Sequence, residues 1–238
     1  MKTVINDLFD YENLKIYQSI EGFKFSLDSI LLAEYVNLNK KVNNILDLCT
    51  GNAVVPLILS TKTKAHIDAF EIQESIFNLA KNSITYNKLD SQITVYNSSI
   101  KEIDMYVKSL KYDIITCNPP YFKVTNNSNI NIHEEKAIAR HEILITLDDI
   151  FKIASNHLND SGKFYLVHRV ERLDEIIILS RKYNLGVKNI ELIKTKKNRK
   201  PSILLVCCVK NSKLGVKIGN IINIQNLSTY QKLFKEDI

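Results

Sequence analysis

Ile45-Leu46-Asp47-Leu48-Cys49-Thr50-Gly51-Asn52-Ala53 starts as an apolar run and ends in small, mostly polar residues. A run this short reads as a buried strand, and the small residues let the backbone turn tightly into a following helix, expected over residues 52–61. The same strand-then-helix unit recurs downstream. Strands are expected at His66–Phe70, Ile93–Tyr96, Asp113–Cys117, Lys163–His168, Val187–Ile193 and Ile203–Val209. Helices are expected at 73–86, where Ile76, Leu79, Ala80 and Ile84 share a face, and at about 147–157 and 173–182. Alternation of this kind predicts an α/β fold, a seven-stranded, mostly parallel sheet with helices on both faces. The sixth and seventh strands are joined by a link too short for a crossover helix, so the last strand should run antiparallel.

In such a sheet ligands bind beyond the carboxyl ends of the strands, where strand order reverses. The unusual residues of this chain fall at those ends. The first strand leaves through Asp47 and Thr50-Gly51-Asn52-Ala53, the second at Glu71-Ile72, and the third at Asn97-Ser98-Ser99. The fourth leaves at Asn118-Pro119-Pro120-Tyr121. Two consecutive prolines fix φ and remove two backbone donors, and Asn118 is held extended by the proline after it. The resulting bracket offers a side-chain amide, a backbone carbonyl and an aromatic face, which suits a planar amine-bearing group. Taken singly, Asp47 and Glu71 also read as turn or helix-start carboxylates; taken together, four polar exits on one edge point to a ligand site.

The first turn carries a single glycine, Gly51, where a dinucleotide pyrophosphate needs several. A donor without phosphates needs less, and S-adenosylmethionine fits. Its ribose matches Glu71, twenty residues after Gly51. The third exit can take its adenine, and its sulfonium suits a turn beginning with a carboxylate.

With 32 Lys plus Arg against 26 Asp plus Glu, the formal charge is +6, which favours a polyanionic partner once the charge is clustered. The cluster is residues 194–200, with Lys194, Lys196, Lys197, Arg199 and Lys200. Hydrophobic residues at 45% supply a core and argue against disorder. Cys49, Cys117, Cys207 and Cys208 lie in apolar runs without C-x-x-C spacing, so core thiols in a reducing, cytoplasmic setting are expected, with no metal. No run approaches the ~18 apolar residues of a membrane span. Residues 122–141 form a long polar segment after the bracket, a length usually reserved for function. We expect one domain over 1–238, with 1–40 an N-terminal attachment over the cofactor site. Its first 25 residues are mixed and polar, and its helix starts at Ser26. From about 211 a C-terminal extension is expected, with a weak strand and a short helix ending near Phe234.

Leu46–Ala53 together with Asn118-Pro119-Pro120-Tyr121 resemble the first and fourth motifs of class I methyltransferases acting on exocyclic amino groups. Phe23-Lys24-Phe25-Ser26-Leu27-Asp28-Ser29-Ile30-Leu31-Leu32-Ala33 and Ala139-Arg140-His141-Glu142 narrow the resemblance. It is to the bacterial enzymes that N6-methylate adenine-37 of valine tRNA, and it covers about residues 10–209. It implies a Rossmann-like class I methyltransferase fold and S-adenosylmethionine as cofactor. Phe25, Asp28, Asp47, Thr50, Gly51, Asn52, Glu71, Ile72, Ser98, Ser99 and Asn118 would lie around that cofactor. Asn118, Pro119 and Tyr121 would be the catalytic group, with Tyr121, Phe122, Arg140, His141 and the basic link contacting tRNA. A monomer is expected rather than an oligomer.

Two departures stand out. Ala53 replaces a usual glycine, and one added methyl should be tolerated. Serine replaces a usual aspartate at the third exit, with Ser99 the better match, and should weaken cofactor binding about fivefold, ~1 kcal/mol. A release-factor glutamine methyltransferase shares the bracket but carries a longer N-terminal helical domain. The bracket also suits an rRNA guanine methyltransferase, and the same fold can serve as a catalytically silent RNA-binding module.

Overall fold

The computed structural model describes residues 2–8, 11–20, 27–38, 41–107, 111–120, 145–196, 199–219 and 221–224. Its chain order begins with an antiparallel hairpin, β1 (Thr3–Leu8) and β2 (Tyr11–Ser19), followed by α1 (Leu27–Tyr35). The repeating part runs β3 (Asn44–Leu48), α2 (Val54–Lys62), β4 (His66–Glu71), α3 (Glu74–Tyr86), β5 (Ile93–Asn97) and β6 (Tyr112–Cys117). It continues through α4 (Leu147–His157), β7 (Leu158–Arg169), α5 (Leu173–Lys182), β8 (Leu185–Lys194) and β9 (Ile203–Lys210). Two short strands, β10 (Lys217–Ile218) and β11 (Ile222–Asn223), come last.

All seven expected strands are present, in the order β8-β9-β7-β6-β3-β4-β5. β3 to β7 are mutually parallel, and β9 runs antiparallel to both β7 and β8. The order reverses between β3 and β6, so the first turn and the bracket leave the sheet side by side. This is the mostly parallel sheet that the alternation predicts. Its centre carries near-continuous apolar runs because both faces are covered: Ile45, Leu46, Leu48, Leu204, Val206 and Cys208 are fully buried. One apolar cluster packs under α1, α2 and α3, the other under α4 and α5.

Several boundaries differ from expectation. Residues 1–25, read from sequence as a mixed polar segment, contain the hairpin. Leu14, Ile16 and Gln18 alternate inward, a period-two pattern short enough to be lost among the charges around it. The sheet has nine strands among the described residues rather than seven, because two-residue β10 and β11 add in parallel to β8. β7 starts five residues before the expected Lys163, directly at the end of α4, with a register shift opposite β6. Leu158 and Tyr112, both fully buried, pair there. The expected helix near Phe234, the Ser26 cap and the 122–141 segment lie outside the described residues.

α2 begins at Val54, two residues later than expected, for a backbone reason. Cys49 (φ 59°), Gly51 (φ 60°) and Ala53 (φ 70°) all lie in the left-handed region. Ala53 is wholly buried. A non-glycine residue there carries a strain of order 1–3 kcal/mol, so the departure from glycine matters through the backbone and not through the space a methyl fills. Ala53→Gly should therefore raise stability by ~0.5–1 kcal/mol, the relieved strain less glycine's greater unfolded-state entropy. Denaturant melts would show it as a higher midpoint at unchanged slope.

One further buried polar group in the sheet has no local sequence signal. Asp68, 2% exposed, receives hydroxyl hydrogen bonds from Tyr112 (2.9 Å) and Tyr96 (3.1 Å). Burial, with the Asp68 charge second, pushes the Tyr96 phenol up to about 12. Asp113 has a structural role: its carboxylate accepts the backbone amides of Asn43 and Asn44 at the start of β3 and the Asn159 amide.

Candidate functional site

The first turn is stitched to its neighbours before any ligand is considered. Thr50 N donates to Phe70 O (2.9 Å) at the end of β4. Gly51 N donates to Glu71 Oε2 and Gln73 N to Oε1, both at 2.9 Å. Glu71 is 6% exposed, so it is a buried clamp on the turn and not a solvated residue at a helix start. Burial raises its carboxyl above the usual range, with the Gln73 and Gly51 amides partly offsetting that. Each oxygen keeps a lone pair beyond the amide it accepts, so the clamp can also receive a hydroxyl. The Asn52 side chain donates to Tyr17 O (3.2 Å), tying the hairpin to the turn.

Asp47 lies beneath the turn, 1% exposed. Thr116 Oγ1 donates to its Oδ1 at 2.5 Å. Oδ2 and Thr50 Oγ1 are buried with no hydrogen-bond partner of good geometry, although the Thr50 hydroxyl is near enough to ease the carboxylate charge. Burial drives the Asp47 carboxyl up to about 7. A buried carboxylate oxygen and hydroxyl left unsatisfied together are costly. Both can accept from a polar, cationic ligand resting on a left-handed turn. S-adenosylmethionine has that chemistry, a sulfonium and an ammonium beside ribose hydroxyls, and the residues fit it.

At the third exit Asn97 Nδ2 bridges to Glu71 O (2.9 Å) and Ile72 O (3.2 Å). Ile72 itself is 40% exposed, an apolar side chain on the ligand edge. Ser98 is buried and donates to Glu102 Oε2 at 3.0 Å. Ser99 Oγ accepts Lys101 N, capping the short 3-10 helix Ile100–Met105. Both hydroxyls thus hold the loop, and each retains capacity for one more partner.

At the fourth exit Pro119 is buried and Asn118 and Pro120 are half-buried. Asn118 Nδ2 donates to Ser29 Oγ (2.8 Å), in the first turn of α1. Asp28, beside it, is 8% exposed. The structure therefore brings Asp28, Asp47, Thr50, Gly51, Asn52, Glu71, Ile72, Ser98, Ser99, Asn118 and Pro119 to the carboxyl edge or onto the helix that packs against it. Phe25, Tyr121, Phe122, Arg140, His141 and Lys197 lie outside the described residues.

The basic link joins β8 to β9 on the same edge, since β8 runs parallel to β6 and β7. Lys196, Arg199 and Lys200 are exposed, Lys194 is half-buried, and Arg199 N closes a turn onto Lys196 O (3.2 Å). Two to three strand spacings separate the link from Asn118, roughly 10–15 Å. His168, near the end of β7, is marked by nothing in the local sequence. It is 1% exposed, accepts Arg169 N through Nδ1, and burial lowers it to about 4, so it is neutral near pH 7.

Curated relatives match most of this chain. A protein of Pedobacter heparinus named tRNA1(Val) (adenine(37)-N6)-methyltransferase is 26% identical over 209 residues, 87% of this chain and 86% of its own. One of Trichodesmium erythraeum with the same name is 29% identical and covers 79% and 81%. Among solved structures, a predicted O-methyltransferase from Agrobacterium tumefaciens superposes with a TM-score of 0.66 at 18% identity, over 83% of this chain and 88% of its own. The Thermus thermophilus 16S rRNA N2 G1207 methyltransferase in complex with AdoMet and guanosine gives 0.57 at 16%, over 88% and 50%. The superpositions establish a class I methyltransferase fold. The family profile described as the methyltransferase small domain matches residues 24–184, and to that family this chain belongs.

Proposed function

We propose that this protein uses S-adenosylmethionine to N6-methylate adenine in tRNA, with A37 in the anticodon loop of valine tRNA the leading target. The observation that carries the reading is the placement of Asn118-Pro119-Pro120 at the end of β6, directly beside the β3 turn with its unsatisfied Asp47 and Thr50 atoms. An amine-holding bracket thus adjoins a pocket fit for a methyl donor. The similarity, over most of both chains, to relatives bearing that name supports the substrate.

S-adenosylmethionine, when bound, supplies an electrophilic methyl group on a cationic sulfur. The chain's own residues supply position. Adenine N6 is a weak nucleophile because its lone pair is delocalised into the ring. Asn118 Oδ1 and the Pro119 carbonyl accept the two amine hydrogens, bend the nitrogen out of the ring plane and aim its lone pair. No strong base is needed, because orientation and fixed dipoles supply the rate. Tyr121 stacks on the base, with about 1–3 kcal/mol expected for such a contact. An anticodon-loop base is unpaired, so swinging it out costs less than from a duplex. We assign the whole chain to one catalytic unit acting as a monomer, with RNA specificity drawn from loops, the N-terminal segment and the basic link.

The test is incubation with labelled S-adenosylmethionine and total tRNA from a strain lacking the enzyme, followed by nucleoside analysis. N6-methyladenosine at position 37 of valine tRNA is the expected product. Label in guanosine, in rRNA or in a release-factor glutamine would move the substrate elsewhere. For the link, neutralising Lys194, Lys196, Lys197, Arg199 and Lys200 together should lower the salt slope of tRNA binding by roughly three to five units. An unchanged slope would place the RNA surface on another part of the molecule.

A further inference from the structure

The first turn is held by two different parts of the chain. Thr50 and Gly51 are tied to β4, through Phe70 O and Glu71 Oε2. Asn52, between the left-handed Gly51 and Ala53, is tied to the N-terminal hairpin: its Nδ2 donates to Tyr17 O at 3.2 Å, across 35 positions of sequence. A backbone carbonyl can only accept, so the sense of this contact is settled by its partner. Asn52 is 1% exposed, so the bond is made inside the protein, where water does not compete for it.

Tyr17 is itself well fixed. One edge of β2 pairs with β1, and the backbone groups of Lys15 and Tyr17 on the other edge are satisfied by side chains. The Asn87 carboxamide takes both groups of Lys15, accepting from N at 2.9 Å and donating to O at 2.7 Å. Ser83 Oγ accepts Tyr17 N at 2.9 Å, its own proton going to Leu79 O at 2.8 Å. Tyr17 O is the group left over, and Asn52 takes it. Leu14 and Ile16 of β2 join the apolar cluster that includes Ala53 and Val54, so hairpin and turn also share a core.

We propose that Asn52 is a positioning residue through which the hairpin holds the first turn in its ligand-binding form, so that hairpin closure and S-adenosylmethionine binding stabilise each other; this rests on the cofactor reading given above. The turn needs such support. Cys49 and Ala53 are non-glycine residues at positive φ, a conformation that persists only when the surroundings over-determine it. The coupling is reciprocal: the factor that the bond adds to cofactor affinity is the factor by which bound cofactor opposes opening of the hairpin. For one hydrogen bond that factor is about five. The hairpin thus acts on the cofactor site through its main chain, with no need for its side chains to reach the ligand.

The experiment measures S-adenosylmethionine binding by calorimetry and hydrogen exchange of the Lys15 and Tyr17 amides, with and without saturating cofactor, in the full-length protein. In wild type the cofactor should slow both amides about fivefold while leaving those of α5 unchanged. Asn52→Ala should bind the cofactor about fivefold more weakly and lose the cofactor-dependent slowing. Ser83→Ala loosens the hairpin from α3 without touching the turn. It should speed Tyr17 exchange several-fold, keep cofactor affinity within twofold of wild type and retain the slowing. Unslowed hairpin amides in wild type overturn the proposal; if Asn52→Ala still loses affinity, Asn52 is then a direct ligand and not a positioning residue. Equal slowing in wild type and Asn52→Ala overturns it as well, because the protection would not pass through this bond. Should Asn52→Ala fail to fold, wild type and Ser83→Ala carry the test. If wild type binds no S-adenosylmethionine, the cofactor reading fails, while faster Tyr17 exchange in ligand-free Asn52→Ala still tests the bond on its own.

Discussion

Asn118→Ala is expected to lower methyl transfer to tRNA by at least ~10²–10³-fold, the range seen when one preorganised polar contact to the reacting centre is removed. S-adenosylmethionine affinity should stay within a few-fold, because the turn, Asp47, Glu71 and the serines are untouched. Stability should fall by about 1 kcal/mol for each hydrogen bond the side chain gives up, the one to Ser29 among them. The effect should appear in kcat rather than KM. The bracket holds the amine most strongly when the nitrogen has become tetrahedral, so the lost interaction belongs to the transition state. Single-turnover methylation with saturating tRNA measures this directly. Activity within a few-fold of wild type would remove the bracket from the mechanism.

Asp47→Asn should stabilise the ligand-free protein and impair it as an enzyme. The Asp47 carboxyl stands at about 7 in the fold because burial penalises its charge, against ~3.9 in an unfolded chain. A raised pKa means the folded state holds the proton longer. The stability associated with that proton is complete below the unfolded pKa and is lost as pH rises through about 7. Three units correspond to ~4 kcal/mol at most, and water reaching the ligand pocket reduces it. The amide keeps the bond from Thr116 and carries no charge. Melting at pH 8 should therefore show a gain of ~2–4 kcal/mol over wild type, shrinking towards zero near pH 4. Cofactor binding should weaken at least tenfold, since a neutral amide cannot compensate a cationic ligand. Equal melting curves for the two proteins at pH 8 would show that Asp47 is not a buried charge.

Asp47, Glu71 and the bracket were legible because each marks a strand end, and strand ends are set by apolar runs that end abruptly. The Ile45–Leu48 and Ile203–Cys208 runs are buried on both faces and could be little else. The hairpin was not legible. Its inward residues, Leu14, Ile16 and Gln18, alternate with polar ones over one strand only, and its partner face is α3, which the local sequence does not contain. Asp68 looked like an ordinary strand residue. Its tyrosine partners come from β5 and β6, 28 and 44 positions away.

By itself the sequence determined the alternating α/β pattern, the antiparallel last strand and the set of polar residues at four exits. These follow from local terms: side-chain periodicity, the short link before β9, and proline stereochemistry. Only the tertiary structure decided that Glu71 clamps Gly51, that Ala53 sits in a left-handed turn, that Asp47 is a buried acid with an unsatisfied oxygen, and that Ser29 meets Asn118. Each of those depends on bringing segments 20 to 89 residues apart to within hydrogen-bond distance, or on a φ angle imposed by such contacts. The type of a residue states which bonds it can make, but which of them form is fixed by what the closed fold leaves beside it.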